Sequence, residues 1–153
     1  MSKATLLIVD DEPNILTSLR RALELEDFRA LTASSGAEAL ALCADGPPDL
    51  VLLDVAMPEL DGIEVLRRLK ESSPGLPVVM MSGHSTIETA VQATKLGAND
   101  FIEKPLSTER LLITLENALA LGRLREENAQ LRAASHADGE MIEMSAFLRS
   151  EPM

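Results

Sequence analysis

The stretch LLIVDDEP, residues 6–13, begins as a continuous apolar run and ends in three neighbouring carboxylates. Continuous hydrophobicity over its first four residues is typical of a strand that is buried on both faces of a sheet. The three acids, Asp10, Asp11 and Glu12, repel one another, because adjacent like charges disfavour each other's ionised form. Such a cluster at the end of a strand predicts a nearby positive charge or a bound cation.

Four further apolar runs follow, and segments with helical spacing separate them. The runs cover residues 29–32, 50–53, 78–81 and 100–102. The helical segments carry apolar residues at Ile15, Leu16, Leu19 and Leu23; at Ala37, Leu40 and Ala41; at Ile63, Leu66 and Leu69; at Ile87, Ala90, Val91 and Leu96; and at Leu111, Leu112, Leu115 and Leu119. Five such alternations in about 120 residues predict a doubly wound α/β domain with a parallel sheet.

Chemically active residues follow these runs directly. Asp10 and Asp11 follow the first run, Asp54 the third, Ser82 the fourth and Lys104 the fifth. In doubly wound sheets the carboxyl ends of the strands form one rim, and ligands bind in the crevice beside it. We therefore expect all five side chains to share one site.

The residue types at this rim predict a particular chemistry. Carboxylate oxygens without histidine or cysteine are the ligands that a hard cation such as Mg²⁺ prefers. The Lys104 ammonium can pair with a carboxylate and then with a phosphoryl oxygen, and the Ser82 hydroxyl can donate to the same oxygen. Asp54 follows the central strand, which makes it the best placed nucleophile. The rim therefore predicts transfer of a phosphoryl group to Asp54, with Asp10 and Asp11 holding the metal.

Each of these motifs also has a purely structural explanation. Asp10 and Asp11 could cap a helix that begins at Pro13. Lys104 and the following proline could form a plain turn, and Phe101 could be a core residue. The coincidence of acids and a lysine at matching strand ends favours the site.

Composition and charge exclude several classes of function. The formal net charge of −11 argues against nucleic-acid binding by this chain, because phosphate contacts require clustered lysine and arginine. The single cysteine, Cys43, lies among apolar residues and is expected to be a buried, unreactive thiol. No apolar run reaches the roughly 18 residues of a membrane span, and the sequence before the first strand is unlike a signal peptide. We expect a cytoplasmic protein without a membrane partner.

Four ordered motifs, LIVDDEP, LVLLDVAMPELDG, VVMMSGHS and GANDFIEKPL, together resemble the receiver domain of bacterial two-component response regulators. The resemblance spans residues 4–122. It implies a flavodoxin-like (βα)5 fold with strand order 2-1-3-4-5, and a chain that acts as a signalling receiver rather than an enzyme. It also implies a Mg²⁺ cofactor and phosphorylation by a sensor histidine kinase.

The same resemblance implies a role for each motif residue. Asp54 is the implied phosphoacceptor. The implied Mg²⁺ ligands are Asp11, Asp54 and the backbone carbonyl of Ala56, with Asp10 contributing through water. Lys104 would contact the phosphoryl group, and its bond to Pro105 would be cis. Ser82 and Phe101 resemble the hydroxyl and aromatic pair that switches on phosphorylation.

The segment SGHSTIETAVQATKLGANDFIEKPLSTERLL resembles one branch of this family, the sigma-54-dependent transcriptional activators that include NtrC, NtrX and DctD. The branch implies a homodimer whose output is regulated by phosphorylation. Contacts with DNA and with sigma-54 RNA polymerase would be made only by domains outside this chain. Two positions depart from the branch, which more often has glycine at Ser85 and tyrosine at Asn99, so the partner surface is expected to differ in detail.

The last helix is predicted to continue beyond the receiver. We assign residues 1–121 to the receiver, 122–135 to a linker helix and 136–153 to a tail or the start of an AAA+ output domain. Leu121, Leu124, Asn128 and Leu131 occupy a, d, a and d positions of a heptad repeat, which is typical of a short parallel coiled coil. A solvated linker helix is the alternative. The sequence contains no GxxxxGK[ST] loop, so we expect the regulatory part of a longer protein.

Three functions are compatible with these features. The first is a phosphorylation switch that controls an output domain through its dimer contacts. The second is a stand-alone receiver that acts by protein–protein interaction or in a phosphorelay. The third is a hydrolase or phosphotransferase of small molecules, against which the sequence places no second acid suited to general acid catalysis near Asp54. The coiled-coil pattern favours the first function over the second.

Overall fold

The computed structural model describes residues 3–83 and 86–138, and residues 125–138 through their backbone alone. Within these ranges five strands alternate with five helices, as predicted. The strands are β1 (Thr5–Val9), β2 (Arg29–Ala33), β3 (Leu50–Asp54), β4 (Val78–Ser82) and β5 (Asp100–Glu103). The helices are α1 (Pro13–Leu25), α2 (Gly36–Asp45), α3 (Gly62–Ser72), α4 (Ile87–Lys95) and α5 (Thr108–Asp138).

The strands form one parallel sheet in the order β2-β1-β3-β4-β5. The predicted doubly wound fold and its strand order are therefore confirmed. Every residue of β3 and β4 is buried, which explains why these strands are apolar without alternation. Because all strands run in the same direction, their carboxyl ends meet at one rim.

Two apolar clusters cover the two faces of the sheet. One cluster joins alternate strand residues to α1 and α5, and it contains Leu6, Leu52, Leu19 and Leu115. The other joins the remaining strand residues to α2, α3 and α4, with Leu53 among its members. Cys43 lies in this second cluster, so its expected burial is confirmed, and burial raises the pKa of its thiol.

Local sequence fixes where the helices begin. Ser35, Asp61 and Thr86 precede α2, α3 and α4, and each side-chain oxygen accepts the backbone N–H three residues later. Pro13 opens α1, where its missing N–H costs no hydrogen bond. These caps position the loops that carry the rim residues.

The predicted helices α2 and α4 are confirmed, but part of their apolar spacing is exposed rather than buried. In α4 Ile87 is 83% exposed and Val91 is 46% exposed, and Ala93 is the buried residue. In α2 the predicted Ala37 and Ala41 are exposed, whereas Gly36, Ala39 and Cys43 are buried. The reason is similar in both helices: small residues allow close approach to the sheet, and periodicity alone does not tell which apolar side is covered.

α5 runs without interruption from Thr108 to Asp138. Leu121 and Leu124 are 41% and 56% exposed, so both are available to a partner. The other two predicted coiled-coil residues are Asn128 and Leu131, and their side chains are not among those described. The segment 139–153 also lies outside the described residues. In the described part of the chain, no helix has the length and apolar character needed to cross a membrane.

Candidate functional site

The carboxyl ends of four strands bring four predicted site residues to one rim. Asp10 follows β1, Asp54 ends β3, Ser82 ends β4 and Lys104 follows β5. Asp10, Asp54 and Ser82 are 0%, 3% and 2% exposed. The backbone holds them in register, because the Asp10 N–H donates to Ala33 at 3.2 Å and the Lys104 N–H donates to Ser82 at 2.8 Å.

Lys104 lies between the two buried acids. Its Nζ donates to Asp10 Oδ2 at 2.7 Å and lies 3.4 Å from Asp54 Oδ1. The side chain of Lys104 is 16% exposed, so the ammonium is largely withdrawn from water. The plain-turn interpretation of Lys104 is therefore wrong. Its peptide bond to Pro105 is cis, as expected.

The two acids have more negative charge than one ammonium neutralises. Burial, reinforced by the charge of Asp10, raises the pKa of Asp54 to about 6, although the Lys104 charge opposes the shift. Burial alone would lower the pKa of Lys104, but its hydrogen bond to Asp10 and the charge of Asp54 outweigh that effect and raise it. At neutral pH the rim therefore keeps a net negative charge in a partly desolvated site.

Asp11 and Glu12 extend the acidic cluster to the surface. Both are exposed, and one carboxylate oxygen from each of Asp10, Asp11 and Glu12 lies within 4.8 Å of the others. Asp10 Oδ1 accepts the N–H of Glu12 at 3.0 Å, but Glu12 is the N-cap residue of α1 and no described side chain caps this helix, so the helix-cap interpretation of Asp10 and Asp11 is wrong. Ala56 is exposed in the loop after β3. Oxygen-only donors with surplus negative charge are chemically suited to Mg²⁺.

Ser82 and Phe101 occupy neighbouring strands. Ser82 is buried at the rim, whereas Phe101 is half-buried in β5, where it pairs in register with Met80 and packs against the second apolar cluster. Phe101 also lines a cavity of about 630 Å³ between α4 and β5, together with Ile87 and Lys104. Lys104 therefore both lines this cavity and contacts the rim residues Asp10 and Asp54.

Gly62 supports the site in a way that the sequence did not reveal. A Cβ atom at Gly62 would lie 2.1 Å from the carbonyl oxygen of Asp54, and its N–H donates to Val55 at 2.8 Å. The loop after β3 therefore folds back onto the backbone of Asp54. The dipeptide Asp61–Gly62 carries no sign in the sequence of so close a contact.

Residues 6–116 match the family model described as the response regulator receiver domain. Among curated proteins, the chain is 47% identical over 129 residues to the nitrogen assimilation regulatory protein NtrX of Azorhizobium caulinodans, covering 83% of this chain and 28% of that protein. The chain therefore spans less than a third of the length of this relative.

Solved structures agree with the sequence match. NtrX from Brucella abortus in complex with ADP is 43% identical, with a TM-score of 0.80 over 86% of this chain and 30% of that one. The beryllofluoride-activated NtrC4 receiver domain dimer is 39% identical, with a TM-score of 0.74 over 77% of this chain and 98% of that one.

Proposed function

This chain belongs to the response regulator receiver domain family, and from that premise we propose that it is a phosphorylation switch in which Asp54 accepts a phosphoryl group from a sensor histidine kinase. The observation that carries the proposal is the position of Lys104 Nζ, 2.7 Å from Asp10 and 3.4 Å from Asp54. A cation in this position neutralises charge on a group that arrives between the two acids.

The transfer step is a displacement at phosphorus. An Asp54 carboxylate oxygen attacks the phosphoryl group, an oxygen–phosphorus bond forms, and the bond from phosphorus to the donor's imidazole nitrogen breaks. Asp54 must be ionised to attack, and with a pKa of about 6 it is mostly ionised at neutral pH. Lys104 then exchanges its contact with Asp54 for one with a phosphoryl oxygen, to which the Ser82 hydroxyl also donates.

The acidic residues suit a divalent cation beside the transferred group. Asp11, Asp54 and the backbone carbonyl of Ala56 would hold Mg²⁺, with Asp10 contributing through water. When bound, the ion neutralises the negative charge that gathers on the phosphoryl oxygens. Without a bound cation, the surplus negative charge of Asp10 and Asp54 would repel an incoming phosphoryl group.

The output of the switch is a change in dimer contacts. Ser82 would move toward the new oxygens and Phe101 would turn inward, which changes the surface formed by α4 and β5. Ile87 and Val91 lie exposed on this surface. The similar NtrC4 receiver was solved as an activated dimer, which supports a dimer here.

α5 is the proposed connection to the output. Its exposed Leu121 and Leu124 would pair with a second copy in a short coiled coil. An ATPase output domain outside this sequence would contact DNA and sigma-54 RNA polymerase, and the chain covers only 28% of the similar regulatory protein NtrX. The switch would operate in the cytoplasm, and its own catalysis would be limited to self-phosphorylation and slow dephosphorylation.

Intact-mass measurement after incubation with acetyl phosphate tests the proposal. We expect one phosphoryl adduct that requires Mg²⁺ and is absent from Asp54→Asn. Asp45→Asn is the matched control, because Asp45 is exposed at the end of α2, away from the rim, and should keep the adduct. An adduct that persists in Asp54→Asn, or a folded wild type without any adduct, would contradict the proposal.

A further inference from the structure

Among the residues of α5 whose side chains are described, Gly122 is the last whose spacing places it on the side of the domain core. The core-facing residues of the helix are Leu111, Leu115, Ala118 and Leu119, all of which are buried. Gly122 continues their spacing of three and four positions. The next two residues, Arg123 and Leu124, are exposed. Gly122 lies at the end of the sheet opposite the acidic rim, where the series of described core-facing residues ends.

Gly122 lies so close to Pro77 that no side chain fits between them. A Cβ atom on Gly122 would lie 2.8 Å from Cγ of the proline ring. Pro77 is buried, and its carbonyl oxygen accepts the N–H of Val51 at 3.0 Å. Because β3 holds the rigid ring in place, a larger residue at position 122 must move the helix rather than the ring.

Helix stability alone does not explain a glycine at this position. Gly122 is the one glycine in a helix of 31 residues. Glycine is among the least favourable residues in a helix interior, because it loses the most backbone entropy. Close approach to Pro77 supplies the reason for its presence.

The surroundings leave α5 free to tilt around this contact. A cavity of about 490 Å³ lies beside it, lined by Pro47, Pro48, Leu76, Pro77, Leu119, Gly122 and Arg123. Within the part of the chain whose side chains are described, this cavity leaves room beside the helix at Gly122. A residue larger than glycine at position 122 would therefore displace the helix from Pro77 and change its direction, at the cost of contacts with the core.

We propose that Gly122 is a positioning residue whose contact with Pro77 sets the direction in which α5 leaves the receiver. Residues 123–138 extend about 24 Å at 1.5 Å per residue, so a tilt of about 15° moves the far end by about 6 Å. The consequence of the α5 direction for signalling rests on the proposed function, because this direction decides whether Leu121 and Leu124 of two copies can meet.

A double-mutant cycle tests the contact itself. We expect Gly122→Ala to lower the melting temperature by about 4 °C or more, although alanine is the better helix former. Pro77→Ala removes the opposing ring carbon. In that background, Gly122→Ala should cause no further loss of melting temperature. Gly75→Ala is the matched control, because a Cβ there meets nothing within 4 Å. A Gly122→Ala variant as stable as the wild type would overturn the proposal.

Pulsed electron paramagnetic resonance tests the direction of the helix. Nitroxides on Glu38→Cys and Ser135→Cys, in a Cys43→Ala background and diluted with unlabelled protein, report the distance within one chain. Gly122→Ala should shift this distance by up to about 5 Å, and the double variant with Pro77→Ala should restore it. An unchanged distance in the folded Gly122→Ala protein would overturn the positioning role.

Two separate measurements distinguish this proposal from the proposed function. Gly122 lies far from Asp54, so Gly122→Ala should keep the adduct formed with acetyl phosphate. Sedimentation of the phosphorylated wild type measures the dimer independently. A wild type that remains monomeric would contradict the dimer proposed above, whereas the spin-label distance would still decide the role of Gly122.

Discussion

Two groups of charged side chains in this protein each place one cation beside two acids, but the pKa of an acid is raised in one group and lowered in the other. At the rim, Lys104 contacts Asp10 and Asp54, which are almost completely buried. On the surface of α3, Arg67 contacts Glu64 and Glu71, and the side chains of Glu64 and Arg67 are 32% and 44% exposed. Burial, rather than the identity of the partners, separates the two groups.

The pKa shifts of the acids show the consequence. Burial and the neighbouring Asp10 raise the pKa of Asp54 to about 6, despite the adjacent ammonium of Lys104. On α3, hydrogen bonds from Arg67 and Arg68 lower the pKa of Glu64 to about 2. The surface group is electrostatically satisfied, whereas the rim has surplus negative charge. Only the rim therefore has a reason to attract a cation or rearrange its charges.

Removal of the shared ammonium should have the largest effect. Lys104→Met leaves two buried carboxylates without a positive partner, and we expect it to lower the free energy of unfolding by about 3 kcal/mol at pH 7.5 without Mg²⁺. Urea denaturation measures this change. The loss should decrease toward pH 5, because protonation of Asp54 relieves the repulsion.

Arg67→Met provides the matched surface control for Lys104→Met. It also removes a cation that contacts two acids, but exposed pairs contribute little because water screens them. We expect a change of less than about 1 kcal/mol. Equal losses in the two variants would show that burial does not separate the two groups.

Removal of the surplus negative charge should stabilise the protein. The folded pKa of Asp54, about 6, lies above the ordinary value of about 3.9 for an unfolded aspartate. Its ionisation therefore costs stability as the pH rises through 6. We expect Asp54→Asn to raise the free energy of unfolding by about 2 kcal/mol at pH 7.5 in EDTA, and to change it little at pH 4.

Asp45→Asn serves again as the control, since no buried charge is removed. Urea denaturation at both pH values should give the same free energy as the wild type. Addition of Mg²⁺ should narrow the gap between wild type and Asp54→Asn, because a ligand selective for the native rim stabilises it. A less stable Asp54→Asn at pH 7.5 would show that the Lys104 contact outweighs the desolvation of Asp54.

The sequence predicted the parts of the fold that follow from continuous hydrophobicity. β3 and β4 are apolar at nearly every position because helices cover both faces, and both were located to within one residue. The outward faces of α2 and α4 could not be predicted in the same way. Ile87 and Val91 have helical spacing, but spacing does not say whether another element covers them.

The sequence predicted the site residues that lie at the carboxyl ends of the strands. Asp10, Asp54, Ser82 and Lys104 meet at one rim because parallel strands end together. The sequence could not predict that Lys104 approaches Asp10 more closely than Asp54, since that depends on side-chain packing. The approach of Gly62 to the Asp54 backbone was missed for the same reason.

The smallest expected effect concerns the surface group on α3. Because hydrogen bonds lower the folded pKa of Glu64 to about 2, its contribution to stability is present above the unfolded pKa of about 4.3 and is lost as the pH falls toward 2. Glu64→Gln should therefore cause a slight loss of stability at pH 7 and none at pH 2. Thermal unfolding at the two pH values measures the difference.

Salt provides the decisive comparison between the two groups. The Debye length is about 3 Å at 1 M salt, so the exposed contacts of Glu64 with Arg67 and Arg68 should be screened and the effect of Glu64→Gln should disappear. Lys104→Met should keep most of its effect, because Asp10 and Asp54 are almost completely buried and the salt in bulk solvent screens buried charges much less than exposed ones. If 1 M salt removed the effect of Lys104→Met as well, the rim would be as open to solvent as the surface of α3, and its surplus charge could not support the proposed binding of a cation.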